Sequence, residues 1–245
     1  MLAYVGGIDA VELHAHHAVQ IVIALGEPFV FRDGDGHTVQ GVAAVIPRDV
    51  RHAHERSSGP LLEVWVSPEH TTGRRLALLA ADALAQSWLD AGSPLCDLRA
   101  SLANSLPDDL ETHATRVVAR LAGEMPPPRP VHPAIRRLLA ELPSRLDGDV
   151  RLPALARLVG LSSGRLGHLF SETVGIPLRP YVLWLRIQRA IIEVQRGASL
   201  TTAAHAAGFS DSSHLANTYR KMFGAPPSEW TGAVRWITPK SGGAE

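Results

Sequence analysis

The chain has 245 residues, its 24 Lys and Arg balance 24 Asp and Glu, and 45% of it is hydrophobic. That length allows two modest domains, and that mixture argues against wholesale disorder. No apolar run approaches the ~20 residues of a membrane span, residues 1–10 lack the pattern of a secretory signal, and the lone Cys96 excludes a disulfide framework. A cytoplasmic protein without membrane contact is expected. The zero balance hides a division: residues 131–245 carry 14 Lys and Arg against 8 Asp and Glu, a net +6, and residues 1–130 carry −6. A basic half joined to an acidic half predicts a polyanionic partner for the basic half alone.

In chain order, residues 20–25 and 29–31 are β-rich and lead into Asp33-Gly34-Asp35-Gly36, which has hairpin chemistry. With residues 42–46 and 61–66 they predict a small antiparallel barrel or sandwich over residues 1–68. From Glu69 the period changes. Leu76, Leu79, Ala80, Ala83, Leu84 and Trp88 predict one helix that Gly92 and Pro94 end. Leu98, Leu102 and residues 110–121 predict more helices, so residues 69–125 form a helical segment whose apolar faces suit a homodimer contact. The proline run within residues 126–132 reads as a stiff linker. A second domain, residues 133–236, and a tail, residues 237–245, complete an α+β chain.

The second domain contains an internal repeat. Leu155-Ala156…Gly160-Leu161-Ser162 recurs as Ala203-Ala204…Gly208-Phe209-Ser210, an offset of 48. After one inserted residue the offset is 49: Leu166 answers Leu215, Phe170 answers Tyr219, Gly175 answers Gly224 and Tyr181 answers Trp230. Such agreement indicates duplication. Each copy has the logic of a helix-turn-helix. Leu152, Leu155, Ala156 and Val159 line a first helix, Gly160 gives a left-handed exit, and Ser162 can cap the next helix. Leu166, Leu169, Phe170 and Val174 form its buried stripe. In the second copy Ser210 or Asp211 can cap, and Leu215, Tyr219 and Phe223 face inward. Pro180 suits the first turn of a linking helix that runs to about Arg196.

These residues resemble the AraC/XylS family of bacterial regulators. The pattern is carried by Ala156…Gly160-Leu161-Ser162, Leu166…Phe170 and Tyr181…Leu185-Arg186-Ile187…Ala190. It continues through Ala204…Gly208-Phe209-Ser210-Asp211-Ser212-Ser213-His214-Leu215 and Phe223-Gly224…Pro227-Ser228…Trp230. The resemblance implies sequence-specific binding of double-stranded DNA, activation or repression of transcription, and RNA polymerase as a partner. Carried over by position, the base-facing places are Gly164, Gly167 and His168, then Ser212, Ser213, His214, Ala216 and Asn217, with Ser163 beside the first set. Arg165, Arg220 and Lys221 suit phosphates, as do Arg186 and Arg189, while Asn217 suits adenine. Two glycines stand where relatives carry larger polar residues, so the first reading helix is expected to dock by shape, with His168 as its one long reader.

The N-terminal half resembles the cupin-like sensor domains of some members. His14-Ala15-His16…Gln20…Gly26 and Gly41…Pro47-Arg48-Asp49…His52 keep the motif spacings, with Gln20 and Asp49 replacing the usual Glu and Gly. His14, His16 and His52, with Gln20 as a weak fourth donor, are the candidate ligands of a divalent metal, since neutral imidazole suits Zn, Fe, Ni or Cu. Strand parity is expected to point His14 and His16 together, and metal affinity is expected to fall with pH near 6.5. His17 and His54 are nearby imidazoles. Trp65, Trp88 and His37 carry no signal beyond packing. The alternative is a metal-dependent, dioxygenase-like cupin enzyme with a DNA-binding appendage, for which the sequence offers no catalytic constellation. The leading expectation is a regulator whose N-terminal domain binds a small molecule or metal.

Overall fold

A computed structural model describes residues 1–69, 71–79, 83–105, 109–123 and 130–227. It comprises two compact units, Met1–Pro127 with Arg220–Glu245, and Pro128–Tyr219. The expected linker, apart from residues 130–132, lies outside the described residues, as do Ala80, Ser228, Trp230 and the tail.

The first unit begins with eight strands: β1 (Leu2–Gly6), β2 (Val11–His14), β3 (Val19–Ala24), β4 (Phe29–Asp33), β5 (Thr38–Gly41), β6 (Ala43–Ile46), β7 (His52–Arg56) and β8 (Leu61–Val66). They form two four-stranded antiparallel sheets ordered β1-β8-β3-β6 and β2-β7-β4-β5. The expected α+β class and antiparallel β domain are found, as a sandwich of two sheets. Residues in β3, β6 and β8 are buried at every position. Their alternate side chains serve two cores. Val22, Ala24, Ala44, Ile46 and Leu61 join Phe29, Phe31 and Trp88 in one cluster. Ile21, Ile23, Val45, Leu62 and Val64 join Leu76, Leu98, Leu102 and Val117 in the other. A sheet covered on both faces reads as continuous apolar runs, which is why these strands were legible and the half-exposed β5 was not.

The helices are α1 (Thr71–Leu79), α2 (Ala85–Gly92), a 3-10 turn (Ser93–Leu98), α3 (Arg99–Ser105) and α4 (Leu110–Ala122). The single helix expected from Leu76 to Trp88 is therefore a correction. Leu76 packs in one core and Trp88 in the other, and Leu84 adopts an extended conformation ahead of α2 with its side chain 52% exposed. Serving two cores breaks the rod.

The second unit contains α5 (Pro133–Glu141), a 3-10 turn (Leu142–Arg145), α6 (Leu152–Leu158), α7 (Ser163–Val174), α8 (Leu178–Gln195) and α9 (Leu200–Ala206); α10 (Ser212–Phe223) follows. Leu155, Leu166, Phe170, Tyr181, Trp184, Ile187 and Leu215 are buried, with the Phe170 and Tyr181 rings 5.3 Å apart. The linking helix α8 starts two residues before Pro180, so the proline occupies the first turn, where its missing N–H costs no bond.

Candidate functional site

The duplicated pairs α6–α7 and α9–α10 have the expected local chemistry. Gly160 and Gly208 leave the first helix of each pair at φ 70° and 83°. At Gly208 a Cβ would stand 2.5 Å from the Leu146 carbonyl oxygen, so both conformation and space require glycine. Ser162 Oγ accepts from the Arg165 N–H at 3.2 Å and caps α7. In the second copy Asp211 Oδ1 accepts from the His214 N–H at 2.7 Å. The cap has moved from serine to the following aspartate, so the one-residue slip in the repeat is absorbed in the turn. Leu166, Leu169, Phe170 and Val174 are buried on α7, and Leu215, Tyr219 and Phe223 on α10.

Opposite these stripes, Gly164, Arg165 and His168 are exposed and Ser163 and Gly167 half-buried on α7. On α10 Ser213, His214, Asn217, Arg220 and Lys221 are exposed, and Ser212 and Ala216 half-buried. All twelve candidate DNA-contacting positions are thus at least partly accessible. Arg186 is a different case. Its Nη2 donates to the Leu146 carbonyl at 3.1 Å, so its guanidinium is committed to holding α8 against the segment before α6, and the expected phosphate contact is withdrawn.

In the first unit, His14, His16 and His52 converge. One ring nitrogen from each lies within 4.8 Å of the others, and the ring centroids are 4.2 to 5.8 Å apart. The route differs from the expectation. β2 ends at His14, which pairs across the sheet with His52, whereas His16 lies in the connection to β3. Gln20 enters from β3 in the other sheet. Strand parity therefore does not unite His14 and His16; the irregular connection from β2 to β3 does. His54 approaches only from the side, its Nδ1 3.2 Å from the Asp9 carbonyl, and His17 turns to Asp49 at 3.3 Å and Glu69 at 3.9 Å.

The protons can be placed from geometry. A carbonyl only accepts, and the Nδ1 atoms of His14, His16 and His52 lie 2.8, 3.1 and 2.9 Å from the carbonyls of Glu12, Ala18 and Val50. Each Nδ1 therefore carries the ring proton and each Nε2 a lone pair. The Trp65 indole N–H donates to His16 Nε2 at 3.2 Å, as that assignment requires. Trp65 and Trp88, whose ring meets His52 edge-on at 6.3 Å, thus border the cluster, which the sequence did not signal. Burial lowers the pKa of all three rings, His14 to about 3. Proton competition for the nitrogens accordingly begins below the expected range near 6.5.

Two further groups complete the surroundings. Asp49 has φ 60°, the left-handed backbone that the motif's glycine would supply. It is held there by its N–H, which donates to the His16 carbonyl at 2.8 Å, and by its carboxylate on His17. Glu63, on β8, is buried beside Gln20, and burial pushes its carboxyl up to about 8 against the pull of the Gln20 hydrogen bond. Sequence reasoning missed Glu63. It sits in an apolar strand, and only the register opposite Val22, two residues from the Gln20–Trp65 pair and so on the same face, brings it to the site.

Comparison with known proteins gives the following. Residues 155–233 match the family described as a helix-turn-helix domain. The chain is 29% identical over 97 residues to the HTH-type transcriptional regulator GlxA of Rhizobium meliloti, covering 39% of this chain and 30% of that protein. It is 32% identical over 94 residues to the HTH-type transcriptional activator RhaS of Pectobacterium carotovorum, covering 38% and 34%. The chain thus spans about a third of the length of the curated relatives it matches. These relatives are named as transcriptional regulators. Unsaturated fatty acid bound wild-type ToxT from Vibrio cholerae strain SCE256 has the same fold, with a TM-score of 0.59 and 10% identity over 100% of this chain and 97% of that one. The chain thus shares a helix-turn-helix domain over residues 155–233 with these regulators, and shares with ToxT the fold of an N-terminal β-sandwich followed by helices.

Proposed function

We propose that the protein is a sequence-specific DNA-binding transcriptional regulator whose N-terminal unit receives an effector. The observation that carries this reading is the pair of capped helices α7 and α10, each with an apolar stripe inward and a polar face outward. Residues 131–245 have the net positive charge that a phosphate backbone attracts. The linking helix α8 has 18 residues, about 27 Å at ~1.5 Å per residue, comparable with the ~34 Å repeat of DNA. In this reading His168 and Asn217 meet base edges, with Ser163, Gly164, Gly167, Ser212, Ser213, His214 and Ala216 against the groove. Arg165, Arg220 and Lys221 meet phosphates. RNA polymerase and a second copy of the chain are the protein partners the reading carries.

The test is selection of DNA fragments by the purified full-length protein, followed by mobility shifts at several salt concentrations. A recurrent sequence motif and a log–log salt slope of several units, ~0.9 per neutralised phosphate, are expected. Binding that is salt-independent or indifferent to sequence would defeat the reading.

A further inference from the structure

We infer that His214 is a specificity-determining residue of α10 that reads an exocyclic amine, adenine N6 or cytosine N4, in the major groove, with Ser210 and Asp211 as the positioning residues that fix its ring. This rests on the DNA-binding reading above and names what one of its groove-lining side chains recognises.

The first support is where the protons lie. Asp211 Oδ1 accepts from the His214 N–H at 2.7 Å, and its Oδ2 accepts from the Ser210 hydroxyl at 2.9 Å. These bonds, the main-chain one foremost, hold the Asp211 carboxyl below its ordinary pKa, so the group is an acceptor only. A serine hydroxyl has one proton, and Ser210 gives it to the carboxylate. Its oxygen, 3.2 Å from His214 Nδ1, can then only accept, and Nδ1 must carry the ring proton. In the neutral ring Nε2 is left with a lone pair. The Phe209 ring meets the imidazole edge-on at 5.1 Å, so the ring is held from a second side. His214 is exposed, and among the described residues its only ring-nitrogen hydrogen bond is the one at Nδ1.

The second support is what can meet that lone pair. Phosphate oxygens, guanine N7 and O6 and thymine O4 are all acceptors, whereas adenine N6 and cytosine N4 donate into the major groove. The duplication supplies a contrast. Arg165 holds the equivalent place in α7, the third after the cap, and its N–H likewise donates to the capping side chain, at 3.2 Å. A guanidinium only donates, so it suits phosphate or guanine. At one position of the repeat the first helix therefore offers donors and the second an acceptor. Asn217 lies three residues beyond His214 on the same helix face and is also exposed. Three residues advance ~4.5 Å along a helix, against ~3.4 Å per base pair. The amine thus belongs within about one base pair of the adenine assigned to Asn217.

The experiment takes the DNA motif selected by the full-length protein and removes its amines singly, replacing adenine or cytosine by the analogue without the amine (purine or pyrimidinone). At one base pair the removal should cost the wild type about 2- to 10-fold in affinity, the worth of one hydrogen bond, and cost His214→Ala nothing. His214→Gln, which retains an acceptor, should keep the preference, and His214→Lys, which only donates, should move it to guanine. Ser210→Ala should reduce the preference, and Ser210→Thr, which keeps the hydroxyl, should restore it. Nitrogen NMR of the imidazoles, with His214 assigned by its loss in His214→Gln, should show the neutral ring protonated at Nδ1, a result independent of DNA. A proton on Nε2, or a His214→Ala variant that still senses every amine, overturns the inference. So does a His214→Ala loss that is uniform across sequences and disappears when a single phosphate is replaced by methylphosphonate, since that marks a backbone contact. A chain that selects a motif but fails these tests keeps the DNA-binding reading, whereas one that selects none loses both.

Discussion

The two units handle polarity in opposite ways. The sandwich brings His14, His16, His52, Gln20 and Glu63 inward, nearly inaccessible to solvent. The helical unit buries an apolar core of Leu155, Leu166, Phe170, Tyr181 and Trp184, and turns His168 outward. Inward chemistry encloses a small guest and ties it to folding stability. Outward chemistry meets a large partner and can be altered without disturbing the core. The contrast teaches where each kind of substitution should register.

The largest effect expected from this contrast is a pH dependence confined to the sandwich. Burial depresses four imidazoles, His14, His16, His52 and His54, so their contribution is complete above the unfolded value of 6.5 and is lost as pH falls, for His14 down to about 3. Glu63 has the opposite sign: raised from 4.5 to about 8, it contributes fully below 4.5 and progressively less as pH rises through 8. Four imidazoles outweigh Glu63 below 6.5, whereas above it the loss at Glu63 is opposed by the Met1 amine, which burial lowers from 8.0. Urea-denaturation midpoints of metal-free protein should therefore fall on the acid side of pH 6.5, by up to ~1.4 kcal/mol per pH unit for each such group, and change less above it. A flat profile between pH 4 and 6.5 would remove the buried-imidazole half of the contrast.

Next in size is the division within α7. Phe170→Ala should destabilise the helical unit by about 3–5 kcal/mol, whereas His168→Ala, two residues earlier and exposed, should stay within about 0.5 kcal/mol in a denaturant series. Comparable losses from both would mean that α7 does not present separate inner and outer faces.

On α10 the contrast sharpens to single base pairs. Asn217→Ala should cost on the order of 1–3 kcal/mol at one position of the selected DNA motif, while Arg220→Ala should weaken all sequences alike and lower the salt slope by ~1. An unchanged motif and affinity for Asn217→Ala would place the reading face elsewhere on the helix. The smallest effects belong to the caps. Ser162→Ala and Asp211→Ala should each cost about 1 kcal/mol in thermal or urea unfolding, since each side chain satisfies one N–H at a helix start. Loss at Asp211 but not at Ser210 would agree with the inserted residue lying in the second turn.

Local signals and long-range ones contributed unequally to these sites. The helix-turn-helix pairs were legible because caps, left-handed glycines and apolar stripes are encoded within four residues of where they act: Gly160 with Ser162, Leu166 with Phe170, Gly208 with Asp211. The doubly covered strands β3 and β8 were legible as unbroken apolar runs. The spacing of His14, His16 and His52 marked the cluster, but the strand-parity argument for it was mistaken, because His16 lies beyond the end of β2.

The sequence alone determined the α+β class, the duplication, the turn chemistry and the names of three histidines, since each depends on residues close together or on a fixed spacing. Only the tertiary structure decided the rest. It broke the helix between Leu76 and Trp88 because the two residues enter different cores, and it turned Arg186 inward to the Leu146 carbonyl. It also brought Glu63 beside Gln20 through the register of β3 against β8, 43 positions apart in the chain. A one-residue slip in that register would turn Glu63 to the sheet's other face, and no local property of residues 61–66 reports which register is taken.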